Sequence, residues 1–268
     1  AYSAVSHGHS HPELLKVLHE QSARLALTSR AFYTDTLGPY LETITSVSNF
    51  DMALPMNSGA EAVETAIKAS RRWAYRSKKI EPNKAEIIVA DGNFHGRTTT
   101  IISFSSDANS KDDFGPHTPG FISVEFGSSK AIEEAITENT AAVLVEPIQG
   151  EGGIIIPPDN WLAEIRDICT KHGVLMILDE VQSGLGRTGK MFAFEHANIQ
   201  PDGLILGKAL GGGFMPVSCF LSSKEVMQWL NPGSHGSTFG GNPLAAAIGK
   251  RSIEPVSYTH LTLPTILR

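Results

Sequence analysis

"GVLMILDEVQSGLGRTGK", residues 173–190, carries an apolar run from Val174 to Leu178 that ends in two carboxylates, Asp179 and Glu180. Glycines and basic residues follow. The run is short and apolar throughout, so VLMILD (174–179) reads as a strand buried on both faces, as in a parallel sheet. The segment before it, DNWLAEIRDICTKHG (159–173), reads as a helix closed by Gly173. Ligands of open α/β sheets bind beyond the carboxyl ends of the strands. Two acids at such an end are therefore candidate site groups. The question they raise is why a buried strand should lead straight into paired negative charge.

Working outward, further apolar runs read as strands at 85–90, 141–148, 203–207 and 217–222. Helical spacing covers 57–76, with Ser58 as N-cap and acids in the first turn. Pro12 suits the first position of a helix running to about Ala26, and a short helix precedes the strand at 141. The pattern predicts an α/β fold with a mostly parallel central sheet covered by helices on both faces.

Bulk properties narrow the class. Hydrophobic residues at 41% and charged residues at 19% suit a globular domain with a sizeable core. A net charge of −6 with interspersed signs argues against a nucleic-acid partner, and no basic patch points to a membrane surface. Two cysteines in apolar surroundings, Cys169 and Cys219, suggest a reducing compartment. The tail VSYTHLTLPT (256–265) resembles a translated sequencing adapter, so residues 255–268 are expected to be foreign and 1–254 to form the domain.

Each predicted strand end carries chemistry that also has an ordinary reading. Ser58, Gly59 and Ala60 open a helix whose N–H groups and dipole suit a phosphate, and a plain capped helix satisfies them equally well. DGNFHGRT (91–98) brings Phe94, His95 and Arg97 into one glycine-bordered loop, for stacking and for carboxylate binding, or as surface. EPIQGEGG (146–153) offers Glu146 and Glu151, which also suit a solvated turn. Lys208 lies between an apolar strand and a glycine run, where desolvation would favour its nucleophilic neutral form, or it snorkels to water. A glycine- and hydroxyl-rich loop at 233–243 contains Thr238, a further phosphate donor from this chain or a partner.

Asp179 and Lys208 lie 29 residues apart, about one βαβ unit, so their strand ends can adjoin. An imine-forming lysine and a carboxylate facing a protonated ring nitrogen are what pyridoxal 5'-phosphate requires. Two rival motifs are weaker. GLGRTGK (184–190) fits the P-loop spacing, but Met191 replaces the magnesium-binding hydroxyl and no strand precedes the loop directly. His7, His9 and His11 alternate in HGHSH, yet further zinc ligands at suitable spacing are lacking, so no metal is expected.

At these residues the chain resembles class III aminotransferases of fold type I, whose large domain is aspartate-aminotransferase-like. The likeness spans about 1–254 and rests on PMNSGAEAVETAIK, GNFHGRT, FGPHTPGF, VEPIQGEGG, LDEVQSGLGRTGK, LGKALGGG and GSHGSTFGGNPLA. The resemblance implies that Lys208 bonds covalently to pyridoxal phosphate and that Asp179 pairs with its ring nitrogen. It implies that Gln182 contacts the phenolic oxygen, Phe94 stacks on the ring, and Ser58, Gly59 and Ala60 hold the phosphate. Thr238 would reach the phosphate across a homodimer interface. Tyr2, His95, Arg97 and Glu151 would line the substrate site. His95 stands where some relatives have tryptophan, and Glu151 would mask a second arginine.

The implied reaction passes an amine from the side chain of ornithine to 2-oxoglutarate. AYSAV and LTSRAFY tilt the choice of donor toward ornithine, away from acetylornithine or 4-aminobutyrate. A member that keeps the fold without catalysis is the alternative from another class. Set against the family, the chain is expected to lack an N-terminal segment and the small C-terminal domain, and so to be at best weakly active. Its compartment would be the cytoplasm, or the mitochondrial matrix in a eukaryote.

Overall fold

The computed structural model describes the backbone of residues 2–259 and the side chains of 2–254. The tail expected to be foreign, 255–268, therefore lies outside the described side chains, and its last nine residues lie outside the described backbone.

Seven strands form one sheet: β1 Met52–Met56, β2 Glu86–Ala90, β3 Phe121–Val124, β4 Thr140–Val145, β5 Leu175–Asp179, β6 Gly203–Leu206 and β7 Ser218–Ser222. Their order is β1-β7-β6-β5-β4-β2-β3. The five from β3 to β6 are parallel, as the apolar runs predict. β7 reverses against β6, and β1 pairs antiparallel to β7. β1 and β3 escape the sequence pattern because MALPM holds a proline and FISV is only four residues long.

The helices are α1 Pro12–Arg24, α2 Leu37–Ser48, α3 Gly59–Trp73, α4 Thr99–Ile102, α5 Ala108–Lys111, α6 Ser129–Ala135, α7 Trp161–His172, α8 Lys224–Met227 and α9 Pro243–Thr259. α7 ends as expected on Gly173, which takes the left-handed conformation at φ 59°. α2 has no counterpart in the sequence reading. Among the described residues no helix is long and apolar enough to cross a membrane.

Side chains alternate across each strand, so the sheet has two apolar cores. On one side Leu175 and Ile177 of β5 and Ile87 and Val89 of β2 pack with Val63, Ala66 and Ile67 of α3. On the other, Met176 and Leu178 pack with Trp161 and Ile165 of α7 and with Phe192. Each fully buried side chain of this size contributes roughly 1.5–3 kcal/mol. Gly203 lets the layers close up: a Cβ there would stand 2.5 Å from Ile177 Cδ1 and 2.9 Å from the Phe220 ring.

Candidate active site

The same alternation answers the question raised by the acid pair. Asp179 shares the face of Leu175 and Ile177, and Glu180 belongs to the other side. Glu180 is buried, and its two carboxylate oxygens accept the N–H groups of Ala193 (2.7 Å) and Phe194 (2.9 Å). It anchors that segment against the second core. Burial pushes its pKa up to about 8, against the pull of the two amides. The paired charge is thus two separate sites back to back.

Asp179 is equally buried and faces a cavity at the carboxyl ends of the strands. Gly59, Ala60, Phe94, His95, Glu146, Val181, Gln182 and Lys208 also line that cavity. One Asp179 oxygen accepts the Val181 N–H at 3.0 Å. The other accepts from Nδ1 of His95 at 2.7 Å. His95 lines the cavity, and its Nε2 is buried without a partner among the described residues. Burial lowers the His95 pKa, but the hydrogen bond and charge of Asp179, aided by Glu146, outweigh it and raise the value overall.

Glu146 is the residue whose part sequence reasoning missed. It directly follows the wholly buried β4, and its Oε2 accepts the Phe94 N–H at 3.0 Å, fixing the loop that carries the aromatic ring. Burial raises its pKa to about 7, with His95 lowering it and Asp179 raising it. An acid directly after five apolar residues was the available signal, the same one that marks Asp179.

Lys208 reaches the cavity by a backbone device. Continued as a strand, β6 would aim residue 208 to the side of Leu204 and Leu206. Instead the chain breaks after Gly207 into a 3-10 turn, Lys208–Gly211, with Lys208 at φ 44°. That left-handed conformation costs a non-glycine residue about 1 kcal/mol. The amine has no hydrogen bond or ion pair among the described residues. Burial lowers its pKa, while Glu151, Asp179 and Glu146 act in the opposite direction. Val181 fills the floor between two glycines: a Cβ on Gly59 would meet it at 3.1 Å and one on Gly207 at 3.4 Å.

The N-terminus of α3 points into the same space. Ser58 caps it, accepting the Glu61 N–H at 3.2 Å, while the Glu61 carboxylate takes the Ser58 N–H at 2.7 Å. Ser58 is therefore already engaged. Gly59 and Ala60, within the first turn, keep N–H groups free of any helical partner.

The remaining expected residues are more scattered. Phe94 lines the cavity, and the Arg97 guanidinium lies 5.8 Å from its ring centre on the exposed side. Gln182 lines both this cavity and a wider one with Tyr2 and Glu151, donating to Glu151 at 3.3 Å. Thr238 is exposed and lines neither, although its neighbour Ser237 accepts a hydrogen bond from Asn57 at 2.8 Å. Among the described residues no group of His, Cys, Asp and Glu is arranged to hold a metal, and Nε2 of His7 bonds the Ser252 carbonyl at 2.7 Å.

The aminotransferase class-III family matches residues 1–263. The chain belongs to that family. Its relatives include the ornithine aminotransferase of Macrococcus caseolyticus, 57% identical over 95% of this chain and 64% of that protein's length. The class-III chain therefore spans just under two thirds of the curated relatives it matches. An ornithine aminotransferase structure from Toxoplasma gondii has a TM-score of 0.94 and 43% identity, covering 96% of this chain and 61% of that one. That structure is described with partial occupancy of PLP at its active site. The acetylornithine aminotransferase of Elizabethkingia anophelis has a TM-score of 0.84 at 48% identity, over 96% of this chain and 61% of that one.

Proposed function

We propose that this chain carries the cofactor site of a pyridoxal-phosphate-dependent transaminase that moves the side-chain amine of ornithine to 2-oxoglutarate. One observation carries the reading: an unpartnered, partly desolvated Lys208 amine and a buried Asp179 line one cavity with free helix N–H groups. The donor set fits the cofactor. Gly59 and Ala60 offer amides to a phosphate, Phe94 and Val181 offer apolar surfaces to a flat ring, and Gln182 offers an amide to a phenolic oxygen. When bound, pyridoxal phosphate supplies an electron sink for negative charge at the carbon bearing the amine.

Lys208 would hold the aldehyde end of the cofactor and, when free, would be the group that carries a proton. The burial that lowers its pKa favours the neutral amine which that work needs. Asp179 would keep a proton on the ring nitrogen, and His95 holds Asp179 in place. Glu146 fixes Phe94 through its backbone. Arg97, beside the Phe94 ring, would take a substrate carboxylate, with Tyr2 and Glu151 bordering the wider opening. Thr238 acts from a second copy in a homodimer. The two ornithine aminotransferases named above support ornithine as donor, and the bacterial one supports a cytoplasmic setting.

The test is reconstitution with pyridoxal phosphate, followed by parallel assays on ornithine and N-acetylornithine with 2-oxoglutarate. Amine transfer from ornithine in preference to its acetyl derivative is expected. The likeness to the Elizabethkingia enzyme makes the reverse preference the specific alternative. A bound-cofactor absorption band that Lys208→Ala leaves unchanged would leave a fold-retaining binding protein.

A further inference from the structure

On the outer face of α3, away from the active site, lies a groove of about 720 Å³, the size of a small-molecule site. Its walls carry five cations, Lys68, Arg71, Arg72, Arg76 and Lys79, and a single acid, Glu81. This concentration arises in a protein of net charge −6. None of the five forms an ion pair among the described residues. Glu64 on the same helix accepts a hydrogen bond from the Thr98 hydroxyl and attracts Arg71 without forming an ion pair with it.

The groove is built as well as charged. Arg71 is half-buried: one guanidinium nitrogen donates to the Pro119 carbonyl at 2.6 Å, and the group lies 4.9 Å from the Phe121 ring centre. Its Nε is buried and has no acceptor among the described residues. The Lys68 amine is held by Nδ1 of His235 at 2.9 Å. At Ala74 the helix widens into a π turn, Ala74–Lys78, a rare feature that recurs at functional sites. Lys79 closes it at φ 61°. Tyr75 offers an aromatic wall, fixed by a hydrogen bond from the Ala85 N–H at 3.3 Å.

We propose that this groove binds a small polyphosphate anion. Neighbouring guanidinium groups match phosphate oxygens two at a time, and an open groove lined by one sign of charge concentrates the opposite sign. A single phosphate would leave most of the cations unmatched. Two or three linked phosphates span several of them. The source is either an inorganic chain or a nucleoside polyphosphate, whose base would add stacking on Tyr75.

The test is calorimetric titration of the protein, loaded with pyridoxal phosphate so that the other anion site is filled, at about 0.15 M salt. The probes are inorganic phosphate, tripolyphosphate and ATP. Tripolyphosphate is expected to bind saturably at one site per chain and inorganic phosphate at least about tenfold more weakly. The double variant Arg72→Gln/Arg76→Gln should weaken tripolyphosphate binding at least about tenfold. Both arginines are outside the active site and unpaired, so the variant should fold, and its melting temperature checks this. Lys130→Gln, on α6 and outside the groove lining, should bind as the parent does. ATP binding more tightly than tripolyphosphate, with the difference lost in Tyr75→Leu, would assign the nucleoside source. Equal binding would assign the inorganic one. No saturable binding of either polyphosphate, or binding that the double variant leaves unchanged, overturns the proposal without bearing on the transaminase reading.

Discussion

Nδ1 of His95 stands 2.7 Å from Oδ2 of Asp179, and both side chains are shut off from water. Two things follow from burying such a pair. The imidazole must carry its proton on Nδ1 to serve the carboxylate, and loss of either member strands the other's polarity. Breaking a buried pair typically costs about 3–5 kcal/mol. His95→Gln, which retains a donor, should lose part of this and His95→Phe about 3 kcal/mol, read by urea unfolding. The raised His95 pKa fixes the sign of the pH effect. Its contribution is full below the ordinary value of 6.5 and fades as pH rises through the raised one. The gap between parent and His95→Phe should therefore narrow in alkaline buffer, and a gap that widens there would contradict the pairing.

Lys208→Ala should abolish the visible absorption band of the lysine-bound cofactor and amine transfer with it, while the unfolding midpoint changes little. Lys208→Gly adds a test of the backbone. Glycine accepts the 44° φ without penalty, so this variant should be more stable than Lys208→Ala by about 1 kcal/mol, less the entropy that glycine adds to the unfolded chain. Stabilities in the reverse order would show that the turn is not under strain.

Glu180 makes a different pH prediction. Its folded pKa, about 8, lies above the ordinary 4.5, so its stabilising contribution is greatest in acid and declines as pH rises between those values. Glu180→Gln does not titrate but turns one acceptor oxygen into an amide that faces a backbone N–H. The substitution should cost about 1–3 kcal/mol at low pH and progressively less toward pH 8. Denaturant midpoints across that range decide it.

Gly96 sits at φ 124° with the position of a Cβ only 2.7 Å from that of Ala60. Gly96→Ala should destabilise the fold by about 1–3 kcal/mol. It should also push on the first turn of α3 and weaken cofactor affinity, measured by fluorescence titration. Unchanged affinity would mean that the α3 amides do not hold the phosphate.

The parallel half of the sheet was legible because β4 and β5 are uninterrupted apolar runs, which only strands covered on both faces tolerate. The reversed edge was not, since nothing in MALPM specifies a strand or its direction. The meeting of Asp179 and Lys208 followed from strand ends one crossover apart. The left-handed turn that aims Lys208 inward was hidden, because a lysine carries no local preference for it. The resemblance implied a substrate-site place for His95, and the structure adds a hydrogen bond to Asp179 while His95 still lines the cavity. Pairing across 84 residues leaves no mark in local sequence. Glu146 stood in plain view, but a carboxylate that grips the backbone of a distant loop looks like any turn acid until the loop is placed.

The back-to-back arrangement of Asp179 and Glu180 makes β5 a phase reference for the molecule. A point replacement there disturbs one layer and leaves the other intact. Deletion of a single residue upstream in the strand would exchange the two layers, sending the longer acid toward the ligand and stripping the amides of residues 193 and 194 of their anchor. This segment should therefore accept conservative exchange far more readily than any change in length.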